Sequence, residues 1–107
     1  MIKAVAYTRY SSDNQRSESI DAQLRAIRKY AEDNDILIIR EYIDEAKTGT
    51  NSKREGFQQM LADAKSGEFE MVLVHKLDRF ARNRYDSALS RKMLKQQGVQ
   101  VVSVLEK

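Results

Sequence analysis

Cysteine is absent from all 107 residues, which excludes both a disulfide framework and a thiolate metal site. The single histidine, His75, likewise excludes a multi-histidine zinc centre. There is no proline, no internal repeat, no low-complexity tract and no linker, so the chain reads as one domain. The longest apolar runs are about four or five residues, too short to cross a bilayer, and no signal-peptide pattern opens the sequence. A cytoplasmic, membrane-free protein is the default expectation. An apolar fraction of 41% beside 33% charged residues supports a folded globular chain and not a disordered one.

Net charge is small in total but concentrated in place. The net charge of +3 would not by itself argue for nucleic acid. Residues 76–92, however, carry Lys76, Arg79, Arg82, Arg84, Arg91 and Lys92 against only Asp78 and Asp86. The remainder of the chain is close to neutral, so the positive field is local. A solvated helix face would explain the same pattern.

Hydrophobic periodicity divides the chain into alternating elements. Residues 2–8 form an apolar run of strand formers that breaks at the polar stretch 11–17. Ile20, Leu24, Ile27 and Ala31 then recur at helical spacing, with Ser19 as a candidate N-cap and Asp21 in the favoured first turn. Residues 36–42 return to strand character, and 44–54 read as a loop punctuated by Gly49 and Asn51. Phe57, Met60, Leu61 and Ala64 mark a second helix, with Gly67 as its C-terminal cap. Residues 71–74 are uniformly apolar, as expected of a strand buried on both faces. Tyr85, Leu89 and Met93 mark a third helix closed by Gly98, and 99–105 form a fourth strand. Met60, Met71 and Met93 are expected to fill the core.

This alternation predicts an α/β domain with a four-stranded parallel sheet flanked by helices. Right-handed crossovers make the order about 2-1-3-4. The sequence stops on an apolar strand with no covering element, which suggests a piece of something longer.

Ligands of open parallel sheets bind beyond the C-terminal strand ends. The segments leaving those ends hold Arg9, Ser11, Ser12, Arg54, Asp78, Arg79 and Arg82. Several arginines and a serine converging there suit an anion, because a guanidinium offers two parallel donors and stays charged near neutral pH. Phosphoryl transfer needs charge stabilised on its equatorial oxygens, by such a cage or by metal ions. The first strand leads into Thr8, Arg9, Tyr10, Ser11 and Ser12 and not into an acidic pair, which favours arginines. Asp13, Asp44, Glu45 and Asp78 keep a magnesium site open.

These residues carry a resemblance. Tyr7, Arg9, Ser11 and Gln15, followed by Ser19, Ile20 and Gln23, resemble the opening of the resolvase/invertase family of serine recombinases. Asp44, Thr48 and Gly49, then Arg54, Gly56 and Phe57, resemble that family's second motif. Lys76, Leu77, Asp78, Arg79, Phe80, Ala81 and Arg82 resemble its third. The motifs occur in the family's order across nearly the whole chain; Asn83 and the Arg54–Phe57 form lean towards the large serine recombinases. Glu68, Phe69 and Glu70 make the approach to the third strand longer than in the small resolvases.

The resemblance implies a resolvase-like fold and a site-specific recombinase that cuts and rejoins double-stranded DNA without metal or other cofactor. It implies that Ser11 is the nucleophile, that Arg9, Arg54, Arg79 and Arg82 contact the phosphate, and that Asp78 aids proton transfer or positions an arginine. Gln15, Gln23 and Thr48 match supporting polar positions. It also implies that residues 1–107 are a catalytic domain cut before a long helix for dimer and tetramer contact and before a DNA-binding region, and so inactive alone.

Blander readings stand beside these. Ser11 would serve as a loop serine or a cap, Asp78 as a turn cap, and Arg79 and Arg82 as surface ion-pair partners of Asp78 or Asp86. Tyr7 alternates with core positions and reads equally as packing; His75 reads as a strand-end residue. A metal-dependent phosphotransfer or receiver-like domain, and a non-catalytic nucleic-acid-binding module, are the competing functional classes.

Overall fold

The computed structural model describes residues 1–11, 20–46, 55–76 and 84–105. Its elements are β1 (Ile2–Ser11), α1 (Ile20–Asp33), β2 (Ile36–Ala46), α2 (Glu55–Asp63), a 3₁₀ turn (Ala64–Ser66), β3 (Met71–Val74), α3 (Arg84–Gln96) and β4 (Gln100–Ser103). The four strands pair in parallel in the order β2-β1-β3-β4, as the alternation predicts.

The sheet is the middle of three layers. Val5, Tyr7, Val72 and Val74 face α2 and α3, packing with Phe57, Met60, Leu94 and Val99. Ala4, Ala6, Met71 and Leu73 face α1, packing with Leu24, Ile27 and Ala31. Strand alternation produces this division, since successive side chains point to opposite faces. Small alanines lie under α1 and bulkier residues under α2. All of β3 is buried, as its unbroken apolar run predicts. Gly67 caps the 3₁₀ turn after α2 with φ 76°, a left-handed conformation that glycine enters without Cβ strain.

Two features depart from the periodicity. β2 carries a bulge: Ala4 pairs with Ile38 but Val5 pairs with Arg40, leaving Ile39 as the extra residue. Before the bulge Ile36 and Ile38 pack towards α1; after it Tyr42 packs towards α2. One inserted residue therefore reverses the face of everything downstream, Asp44 included. The strand is also longer than expected, because β1 and β2 stay paired out to Ser11 and Ala46.

The second departure is in α3. Leu89 and Met93, expected in the core, are 48% and 46% exposed, while Ser90 and Leu94 are buried. The chain turns back immediately after this helix: the Leu94 carbonyl accepts the N–H of Val99 at 2.9 Å, and Gly98 adopts φ 78°. With β4 beginning at Gln100, the last turn of α3 must lie over it, and Leu94 is the residue that faces inward there. Met60 and Met71 are buried as expected. The Ser19 cap lies outside the described residues.

Candidate functional site

The order β2-β1-β3-β4 reverses direction between β1 and β3, so the crevice at their C-terminal ends is the natural ligand site of the sheet. Ser11 is the last residue of β1 and pairs with Ala46. Arg9, two residues earlier, is half-buried and pairs with Asp44. His75 follows β3 and is 4% exposed; its carbonyl accepts the Ser103 hydroxyl and the Leu105 N–H, each at 3.3 Å. Arg54, Asp78, Arg79, Arg82, Gln15 and Thr48 lie outside the described residues, as do Ser12 and Asp13.

Two side chains brace the end of β1. Among the described residues the β1–β3 register runs as far as Tyr7 and Val74, and Arg9 lies two residues beyond it. Gln23, fully buried on α1, bonds the backbone there: its Nε2 donates to the Arg9 carbonyl at 3.0 Å and its Oε1 accepts the Arg9 N–H at 3.4 Å. The amide imitates a strand. Gln23 supports Arg9 from within the domain and presents no face to a ligand.

The other brace is Asp44. Its Oδ1 accepts the Gly56 N–H at 2.8 Å, and its Oδ2 accepts the Phe57 N–H at 3.0 Å and the Tyr7 hydroxyl at 2.8 Å. The carboxylate thereby satisfies two orphan donors of the first turn of α2 and joins three elements. Tyr7 is fully buried and meets the Phe57 ring edge-on at 5.3 Å, so it both packs and holds a polar end near the site. With three donors on its roughly four acceptor positions, Asp44 is poorly suited to bind magnesium. Asp44 is one of the carboxylates that keep a magnesium site open in the sequence; Asp13 and Asp78 lie outside the described residues. Among the described residues no group of three or more His, Cys, Asp or Glu could hold a metal ion.

A second carboxylate holds the far end of α2. Tyr42 donates to Asp63 Oδ2 at 2.6 Å, Gln59 donates to Oδ1 at 2.9 Å, and Arg40 approaches at 3.4 Å. The Tyr42 and Gln59 hydrogen bonds keep the Asp63 carboxyl below its usual value. Burial, followed by hydrogen bonding to Asp63, raises Tyr42, and the bond to Tyr42 raises Arg40.

Sequence reasoning named Tyr7, Gln23 and Asp44 but not these functions. Asp44 and Gly56 stand twelve positions apart, and only folding reveals one as the cap of the other's helix.

Comparison with known proteins agrees with this architecture. Residues 4–107 match the family described as Resolvase, N terminal domain. A resolvase family site-specific recombinase from Streptococcus pneumoniae is 37% identical, with TM-score 0.87 over 98% of this chain and 73% of its own. The N-terminal catalytic domain of TP901-1 integrase is 30% identical, with TM-score 0.82 over 96% of this chain and 77% of its own. The C-terminal catalytic domain of ISC1926 TnpA, an IS607-like serine recombinase, shares the fold at 24% identity, with TM-score 0.84 over 99% and 69% of the two chains. No curated protein sequence matches significantly.

Proposed function

This chain belongs to the resolvase family of serine recombinases, and from that premise we propose that it cuts and rejoins double-stranded DNA through a covalent bond between Ser11 and a 5′ phosphate. The observation that carries the proposal is the place of Ser11 at the C-terminal end of β1, beside the point where the strand order reverses, in a chain that matches the family from residue 4 to 107.

In this reading the Ser11 hydroxyl oxygen attacks phosphorus, the bond to the 3′ oxygen breaks, and that oxygen leaves as a hydroxyl after gaining a proton. Attack by a 3′ hydroxyl on the phosphoserine reverses the step and restores a phosphodiester. The serine ester conserves the bond, so resealing requires no nucleotide. Arg9, Arg54, Arg79 and Arg82 spread the charge of the pentacoordinate phosphorus, a task suited to fixed bidentate donors. Asp78 orients one of them or passes the proton; Gln15 and Thr48 support the phosphate contacts. Gln23 acts from behind, by holding Arg9. A homodimer or tetramer of the whole recombinase supplies one serine for each strand cut. Among the described residues no helix is long and apolar enough to cross a membrane.

The test is covalent capture. A nicked duplex carrying the recombination site, incubated with the recombinase and chelator, should yield a protein–DNA adduct that survives denaturant. Ser11→Ala should retain DNA affinity and form none. Adduct formation by Ser11→Ala would overturn the nucleophile assignment, and loss of cleavage on chelation would overturn the arginine cage.

A further inference from the structure

We infer that the N-terminal end of the sheet is a self-complementary surface, on which a second copy of this chain docks with its acidic corner against the basic groove of the first. Two features of opposite charge stand at the two edges of that end. At the β2 edge, the turn leaving α1 carries Glu32, Asp33 and Asp35, all exposed. At the β4 edge, Arg91, Lys92 and Lys95 of α3 line an open groove of about 980 Å³ that holds one acid, Glu70. Ile2, Met71 and Val99 give the groove apolar walls. The three cations are exposed, and none is ion-paired to a described residue. Between the two edges the surface is apolar, with Met1, Ile2 and Leu37 79%, 38% and 45% exposed.

The acids stand where the isolated domain has little use for them. Glu32 and Asp33 occupy the last turn of α1, where the helix dipole favours cations, and that turn has no basic residue. Asp35 has φ 58° and is the only non-glycine among the described residues with a positive φ. After the 3₁₀ turn and after α3 the chain gives the same left-handed place to Gly67 and Gly98, at φ 76° and 78°. The corner is nonetheless fixed in shape. The Tyr30 carbonyl accepts the Asn34 N–H at 3.1 Å and its side-chain amide at 2.8 Å, and the Glu32 carbonyl accepts the Asp35 N–H at 3.4 Å. Lys29 reaches Asp33 at 3.5 Å, while Glu32 and Asp35 have no ion pair with a described residue. A rigid acidic corner that weakens its own helix end calls for cations from outside the domain.

The same chain supplies them. β2 and β4 are the two edges of the sheet, about 14 Å apart across three strand spacings. A two-fold axis in the plane of the end face, midway between the edges, sets each acidic corner opposite the partner's groove. It also brings the two apolar centres together, so the contact is reciprocal, with an apolar middle and a charged rim. A DNA backbone fits the groove less well, because its walls are largely apolar and Glu70 lies among the cations. Ser11 stands at the other end of β1, roughly 30 Å away, so docking here leaves that end of the sheet open.

Sedimentation equilibrium of the 107-residue chain without DNA tests this. The wild-type chain should dimerise by about 1 mM, as expected of a small transient interface, and less so at about 500 mM than at about 50 mM NaCl. Asp35→Gly keeps the left-handed turn and removes one charge from each of two symmetric contacts. It should weaken the dimer roughly twofold to thirtyfold while thermal stability holds or rises. Reversing the corner (Glu32→Lys with Asp33→Lys) or the groove (Lys92→Glu with Lys95→Glu) should each give a monomer. An equimolar mixture of the two should dimerise again, because every corner then meets a groove of opposite sign. If the groove reversal does not fold, Asp35→Gly and the salt dependence decide. A wild-type chain monomeric at about 1 mM, a dimer indifferent to Asp35→Gly and to salt, or a mixture that stays monomeric would overturn the inference. So would a monomeric chain whose binding to duplex DNA is abolished by the groove reversal, which would assign the groove to phosphates. Ser11→Ala should leave association unchanged, so the nucleophile assignment and this interface stand or fall separately.

Discussion

Replacing the Gln23 amide by a carboxylate should make the stability of this domain depend on pH in a calculable way. Gln23 is fully buried and uses both ends of its amide on Arg9, donating to the carbonyl at 3.0 Å and accepting the N–H at 3.4 Å. In Gln23→Glu the ionised side chain sets an oxygen against the Arg9 carbonyl; the protonated side chain restores the donor. Burial and lost bonding both favour the neutral form, so the folded-state pKa rises above an unfolded value of about 4.3. The sign follows: the variant is near wild-type stability below about pH 4.3 and loses stability as pH rises towards its folded pKa. The loss grows by up to about 1.4 kcal/mol per pH unit. At pH 7 its ceiling is about 3.7 kcal/mol, since the group neutralises before burial costs more. Urea unfolding of both proteins at pH 4, 5, 6 and 7 measures it. Gln23→Leu is the control: both Arg9 groups lose a partner at every pH, for a constant loss of about 2–4 kcal/mol. A Gln23→Glu deficit that does not change between pH 5 and 7 would refute the amide-as-strand account.

Further outcomes follow from the same geometry. Met93→Gln should change stability by less than about 0.5 kcal/mol, while Leu94→Ala should cost about 2–5 kcal/mol; thermal melts that reverse this ranking would return Met93 to the core. Tyr42→Phe should cost about 1–2 kcal/mol at neutral pH by removing the bond to Asp63. Because Asp63 is depressed in the fold, its contribution is present above the ordinary carboxylate range and disappears as pH falls through the folded value, so the deficit should shrink in acid; a deficit that grows there contradicts the pairing. Arg79→Lys should slow cleavage roughly a hundredfold to a thousandfold if the planar fork serves the transition state, and hardly at all if it is a screened phosphate contact; single-turnover cleavage distinguishes the two.

The sequence by itself determined the elements, their parallel pairing and the order of the strands. Each of these depends on local periodicity and on the handedness of crossovers, both written in residues close together along the chain. It also determined the family, because the residues that carry the resemblance stand in order at the ends of β1 and β2 and in the segment after β3. Only the tertiary structure decided which faces the side chains take and which polar groups meet. The bulge at Ile39 is a property of two paired strands and not of either alone, yet it sends Tyr42 and Asp44 to the α2 face. Leu94 and not Met93 enters the core because the return into β4 sets the roll of α3, a choice that an apolar stripe one residue away cannot make. Asp44 caps a helix that begins eleven residues later, and Gln23 bonds both backbone groups of Arg9 near the end of β1. Local patterns specify elements. Buried hydrogen bonds between distant residues are specified only once those elements pack, because each unpaired donor or acceptor then needs whatever partner lies within about 3 Å.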